Sequence, residues 1–292
     1  MAKEINILKI KKNKIIIYSE NSAESSDNSL SFWWLGQAGF YLKFVNNSIL
    51  IDPYLSDFLA QKYKGKEFPY IRMMPPPVDP EQIRQLDFVL CTHGHSDHMD
   101  PLTLSVLARN NPGCKFIVPK TEKSTAVERG VQDNQLIAVN AGDSIELIAG
   151  IKLEVVPSAH EELRENEKSE FYYLGYILSI GPYTIYHSGD CVPYIGLSEK
   201  LVRSKIDVAF LPVNGRDKYR KDRGVPGNFS FDEAVELCIR SNIHNLIVHH
   251  FGMFTFNTIE VKTLRQKSRK INSDNLNLIV PETHFRYDIK KN

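Results

Sequence analysis

The sequence predicts an α/β protein in which two sheets lie face to face between helices, a four-layer αββα sandwich. Three observations lead there. The N-terminal half is dense in short β-branched and aromatic runs, and from Gln82 onward strands alternate with helices. No fixed-period repeat or low-complexity linker divides the 292 residues. A chain of this length buries about 75% of its unfolded surface, enough for a full core without staples. One domain over residues 1–292 is therefore expected.

Residues 14–18, 32–35 and 40–45 read as strands, with a Ser/Asn/Glu loop over 20–28. A further strand at 48–52 ends in the turn Asp52-Pro53. Residues 57–80 break the pattern. They mix Lys, Tyr and Phe with Met73-Met74-Pro75-Pro76-Pro77, and proline removes ladder donors, so a lid-like excursion is expected. A strand at 87–91 precedes Asp100-Pro101, an N-cap followed by proline at the first helical position. Strands follow at 115–118, 144–149, 151–157, 171–180 and 183–187, with a helix near 121–129. Ser230 to Glu233 and Asn257 to Glu260 have the spacing of capping boxes.

Composition narrows the function. Lys and Arg total 36 against 35 acidic residues, a net charge of +1, which disfavours long nucleic acid as a partner. The N-terminus has no apolar stretch of the secretory kind, and no run approaches the roughly 20 residues that span a bilayer. Cys91, Cys114, Cys191 and Cys238 form no CxxC pair, so reduced thiols in a cytoplasmic protein without membrane contact are expected.

The chemistry lies in the segment from Thr92 to Asp100. His93, His95, Asp97 and His98 fall within six residues, between an apolar strand and a proline-initiated helix. Imidazole and carboxylate together suit Zn, Mn or Fe. His93 and His95 can hold one ion while Asp97 and His98 hold another. Three further strands end in ligand types: His160, Asp190, and the pair His249-His250. Asp190, with two oxygens, is the natural bridge between two ions.

In this order the chain resembles the metallo-β-lactamase fold, and within it the ascorbate-6-phosphate lactonase family. The likeness runs through Trp34 to Phe40, Asp52-Pro53-Tyr54, Met74 to Pro77, Thr92 to Asp100, Tyr186 to Asp190, Leu211 to Asp217, Gly227-Asn228 and His250 to Phe254. The resemblance implies one ion on His93, His95 and His160 and a second on Asp97, His98 and a late histidine, with Asp190 shared. That late histidine precedes an aromatic residue in the family, which implies His250 over His249. Cys191 departs from the family, which commonly has Thr there.

Two divalent ions, Mn or Zn, would activate a hydroxide at neutral pH for attack on a carbonyl or phosphorus. Asp97 and Asp190 are the catalytic candidates, Asp97 for orienting the water or moving its proton. Arg216 opens a charged run after the strand 207–213 and suits bidentate phosphate binding. Arg72 in the excursion and Asn214 in the matched segment complete the candidate substrate contacts. The expected activity is hydrolysis of a phosphorylated sugar lactone or a related small anionic metabolite. A phosphodiesterase acting on a nucleotide, RNA or phospholipid is the alternative, followed by a metal-binding protein without hydrolysis. A homo-oligomer is left open.

Overall fold

The computed structural model describes residues 8–14, 29–271 and 275–291. The first sheet contains β1 (Lys9–Asn13), β2 (Leu30–Gly36), β3 (Gly39–Phe44), β4 (Asn47–Ile51), β5 (Phe88–Leu90), β6 (Lys115–Pro119), β7 (Leu136–Val139) and the late β15 (Arg286–Lys290). Its order is β1-β15-β2-β3-β4-β5-β6-β7. The second sheet contains β8 (Ser144–Ile148), β9 (Ile151–Pro157), β10 (Leu174–Ile180), β11 (Tyr183–His187), β12 (Val208–Pro212), β13 (Asn245–His249) and β14 (Asn277–Ile279). Its order is β14-β13-β12-β11-β10-β9-β8. Both sheets are mixed: β4 to β7 pair in parallel, as do β11 to β14, and the remaining pairs are antiparallel.

Alternation of side chains builds the layers. Phe32, Trp34, Phe40, Leu42, Ile49, Ile51 and Leu90 point from the first sheet toward the second, where Phe210 packs edge-on against both Phe32 and Phe40. Trp33, Leu35, Tyr41, Leu50, Val89 and Phe116 point the other way, onto α2 (Pro101–Asn110) and α3 (Lys123–Glu128). Beyond the second sheet, after α4 (Leu197–Ser204) and the short α5 (Lys218–Lys221), α6 (Phe231–Arg240) packs on β12 and β13, and α7 (Val261–Ile271) packs on β14. The four-layer sandwich follows. Both tryptophans are core: Trp33 lies against Tyr41 and Trp34 stacks on Phe251.

Several local signals act as expected. Asp100 caps α2 through its side chain, which accepts from Leu102 N. Ser230 and Glu233 form the reciprocal capping box of α6. Others differ. Apart from Lys14, which is not in a strand, the expected strand 14–18 lies outside the described residues, as does the loop 20–28. Strand β1 lies just before them, and its Lys-rich sequence suits an edge rather than a core strand. Strand β7 was not foreseen. The second capping box does not form: α7 starts at Val261, where Leu264 N donates to Glu260 O, and the Asn257 side chain is engaged elsewhere.

Residues 57–80 contain a short helix, α1 (Phe58–Lys62), and otherwise run irregularly. They are pinned down by Met73 N donating to Met253 O at 2.8 Å and by an aromatic seam. Tyr70 contacts Tyr63, Phe254 and Phe256, and Phe68 stacks on Phe256. Among the described residues no helix is long and apolar enough to cross a membrane.

Candidate metal centre

Four strand ends meet between the sheets. The loop after β5 brings His93, His95, Asp97 and His98 from the first sheet. The second sheet brings His160 after β9, Asp190 after β11 and His250 after β13. Strands β9, β11 and β13 run in the same direction, so their C-terminal ends share one edge.

The side chains fall into two trios around Asp190. In the first, His95 Nδ1 lies 3.0 Å from His93 Nε2 and 3.2 Å from His160 Nε2. In the second, Asp97 Oδ2 lies 3.8 Å from His98 Nε2 and 3.9 Å from His250 Nε2. Asp190 Oδ1 is 3.3 Å from both His98 Nε2 and His250 Nε2, while its Oδ2 is 3.7 Å from His160 Nε2. One carboxylate oxygen thus faces each trio. His98 Nε2 and Asp190 Oδ1 are sealed from solvent without a hydrogen-bond partner. Buried polar atoms left so cost about 1–3 kcal/mol each, and a converging set of nitrogens and carboxylate oxygens is what a divalent cation satisfies. The donor set fits a metal.

Electrostatics divides the trios. Burial holds His93 and His95 below their usual range and His160 down at about 3, so all three imidazoles stay neutral with lone pairs to give. For His98 burial acts the same way, but the carboxylates of Asp190, Asp52 and Asp97 outweigh it and hold the ring well above its usual value. Burial would raise Asp190; His250 and His98 instead pull it well below the ordinary carboxylate range.

A supporting layer orients these ligands, and most of it was not anticipated. Asp52 is fully buried at the end of β4 with φ 45°. Its Oδ1 accepts from Thr92 N at 2.8 Å, and its Oδ2 accepts from Thr92 Oγ1 at 2.7 Å and lies 2.7 Å from His98 Nδ1. This fixes the tautomer of His98 and turns Nε2 toward the centre. Gln37, φ 51°, donates from Nε2 to Asp97 Oδ2 at 2.8 Å, and its carbonyl accepts from His250 N. Arg129 donates to the carbonyls of Gly94 and Met99 and so braces the histidine loop. Gly189 has φ 61°, and a Cβ there would come within 2.8 Å of the Thr92 hydroxyl. Gln37, Asp52 and Thr92 all lie in the motifs that carried the family likeness; their roles are visible only in three dimensions.

The adjacent histidines part company. His250 takes φ 60° and turns into the centre. His249, still in β13, points into the core and stacks on His187 at 4.9 Å. His187 bonds the Ala38 carbonyl, His244 lies 2.8 Å from the Asn275 carbonyl, and His284 is exposed in a turn. Cys191 is buried and its Sγ contacts the Val192 carbonyl, outside the converging ligand groups.

Above the centre opens a cleft of about 160 Å³ lined by Lys62, Tyr63, Tyr70, Arg129, Val225 and Asn257 among others. The three substrate contacts expected from sequence do not line it. Arg72 donates to the carbonyls of Tyr54, Ser56 and Met74, and so clamps the excursion. Arg216 forms a bidentate pair with Glu233, both bonds 2.7 Å. Asn214 is buried, donating to Asn257 Oδ1 and accepting from Asn228 Nδ2. Sequence does not show which guanidinium already has a carboxylate, and in this charged run Arg216 has one in Glu233. Arg216→Ala is accordingly expected to cost at most about 1 kcal/mol of stability, the worth of a half-exposed pair. It should leave KM equal within error for phosphorylated and neutral substrates. A selective rise for the phosphorylated ones in steady-state assays would restore Arg216 to the cleft.

Residues 47–251 match the profile of the Beta-lactamase superfamily domain. The chain belongs to that superfamily. Among curated relatives, a UPF0173 metal-dependent hydrolase of Saccharolobus solfataricus is 29% identical over 187 residues, 63% of this chain and 71% of its own length. An N-acyl-phosphatidylethanolamine-hydrolyzing phospholipase D of Caenorhabditis elegans is 25% identical over 249 residues, 80% of this superfamily member and 67% of its own length. Solved structures share the fold. An isothiocyanate hydrolase from Delia radicum gut bacteria superposes with TM-score 0.67 at 17% identity, covering 87% of this chain and 98% of that one. A metallo hydrolase from Ignicoccus hospitalis gives 0.65 at 17% identity, covering 88% and 96%.

Proposed function

We propose that this metal-dependent hydrolase of the β-lactamase superfamily acts on a small anionic ester, with a phosphorylated sugar lactone of the ascorbate-6-phosphate kind as the leading substrate. The observation that carries the reading is the pair of ligand trios on either side of Asp190, at the floor of a cleft of about 160 Å³. The opening suits a small metabolite, consistent with the near-neutral charge and against long nucleic acid as substrate. His93, His95 and His160 would hold one ion, and Asp97, His98 and His250 the other, with Asp190 shared. Bound there, Mn or Zn would supply a water deprotonated near neutral pH and Lewis-acid polarisation of the scissile group.

The chain's own residues do the rest. Gln37 occupies Asp97 Oδ2, which leaves the other oxygen of a partly exposed carboxylate to orient a water and take its proton. Arg129 and Asp52 hold the histidine loop and the His98 ring in place, so little reorganisation accompanies reaction. Tyr63 and Tyr70 wall the cleft and restrict bulk water. A cytoplasmic protein acting on a soluble metabolite agrees with this reading.

Phosphodiester hydrolysis is the second reading, and the likeness to the nematode phospholipase favours it. A substrate panel separates the two. On metal-loaded protein we expect kcat/KM for a hexonolactone 6-phosphate to exceed that for bis-p-nitrophenyl phosphate and cyclic nucleotides by about tenfold or more, roughly 1.4 kcal/mol of differential transition-state binding. Turnover confined to the phosphodiesters would replace the first reading with the second.

A further inference from the structure

Asn257 lies seven residues after His250, is only 7% exposed, and borders the cleft together with Asp97, Asp190 and His250. Its Oδ1 accepts two hydrogen bonds, from Arg220 Nη1 at 2.6 Å and from Asn214 Nδ2 at 2.7 Å. Both partners are donors there, so the amide has one admissible orientation, with oxygen toward the loop and –NH2 away from it. That –NH2 has no acceptor among the described residues, and the space Asn257 borders is the cleft.

The orientation is held by a buried cation. Arg220 is 8% exposed, its Nε donates to Asp217 Oδ2, and its Nη atoms reach the Asn214 carbonyl at 3.3 Å. Burying a guanidinium in a short surface helix costs desolvation energy unless its bonds are complete. Here they are shared among the Asp217 carboxylate, the Asn214 carbonyl and the Asn257 amide oxygen. Lys62, at the end of α1, lines the same cleft, exposed and without a carboxylate within 4.0 Å among the described residues. Arg129, the other basic residue of the lining, is occupied by two carbonyls.

We propose that Asn257 Nδ2 and Lys62 Nζ together receive an anionic oxygen of the substrate beside the metal centre, with Arg220 as the positioning residue for Asn257. The ligand class is an oxyanion, phosphoryl or carboxyl. The inference rests on the hydrolase reading above and specifies which residues select its substrate.

The test is titration of metal-loaded protein with inorganic phosphate by calorimetry, with metal content measured in parallel. Asn257→Asp keeps an oxygen for Arg220 and Asn214 but replaces the cleft-facing donor with a charged acceptor. Phosphate affinity should fall about tenfold or more, the range for a lost hydrogen bond to a charged group, with metal content unchanged. Lys62→Gln should weaken phosphate about threefold, as suits an exposed cation. Arg220→Lys, which keeps charge but loses the fork, should raise KM for an anionic substrate more than it lowers kcat. Unchanged phosphate affinity in Asn257→Asp overturns the proposal, and so does wild-type protein that holds metal yet binds no phosphate. Should Asn257→Asp fail to load metal, Lys62→Gln decides alone, and unaltered affinity there is equally fatal. Metal-loaded wild type that binds phosphate but hydrolyses no ester would count against the hydrolase reading, leaving the anion site standing.

Discussion

Asp190→Ala is expected to reduce hydrolysis by about a thousandfold or more and to lower metal content at both trios. Several kcal/mol of transition-state charge stabilisation go with each ion, and each 1.4 kcal/mol is about tenfold in rate. The residue is singled out by its two oxygens. Oδ1 sits 3.3 Å from His98 and His250 nitrogens, and Oδ2 sits 3.7 Å from His160. No other carboxylate of the site faces both trios. Its removal also takes away one of the three carboxylates that hold the His98 ring above its usual value. Elemental analysis after purification without chelator, read beside turnover, checks both halves of the expectation. Full metal content with wild-type rate would remove Asp190 from the bridge.

The second large effect lies one layer out. Asp52→Ala should weaken metal binding by about 10–100-fold, the usual consequence of losing the carboxylate behind a ligating histidine. It should also destabilise the protein by about 3–5 kcal/mol, because it breaks a buried charge-assisted cluster and leaves its partners unpaired. Thr92 N, Thr92 Oγ1 and His98 Nδ1 all converge on this one fully buried carboxylate. Asp52→Asn should be milder in stability yet similar in metal affinity, since an amide offers one acceptor where the site needs two. Chelator competition and thermal melts measure the two quantities separately. A variant with wild-type metal affinity would show that His98 needs no such support.

How much was legible in the sequence depended on whether chemistry or geometry carried the signal. The cluster from His93 to His98 and the ligand types at later strand ends declare themselves, because few roles other than metal binding need such residues so close together. Asp52 does not, since an Asp before Pro also reads as an ordinary turn. The choice between His249 and His250 turns on one backbone angle, which rotates His250 out of the strand's alternation. Arg216 and Arg220 stand in one charged run, and only burial tells them apart: the Arg220 side chain is 10% exposed and the Arg216 side chain 40%. The short strand β7 and the Lys-rich β1 were missed because each owes its place to a neighbour already in the sheet rather than to a strong apolar pattern of its own.

The order in which the ligands occur along the chain has a consequence during synthesis. A nascent chain extruded through residue 190 already carries six of the seven metal-facing side chains, but the second trio lacks His250. Strand β15, which separates β1 from β2 in the first sheet, emerges later still. Until then β2 exposes an unpaired edge, the kind of surface that invites wrong partners. Residues 245–290 therefore complete the candidate metal centre and close the sheet together. A product terminated shortly before residue 250 would lack both the complete second trio and the strand that covers the β2 edge.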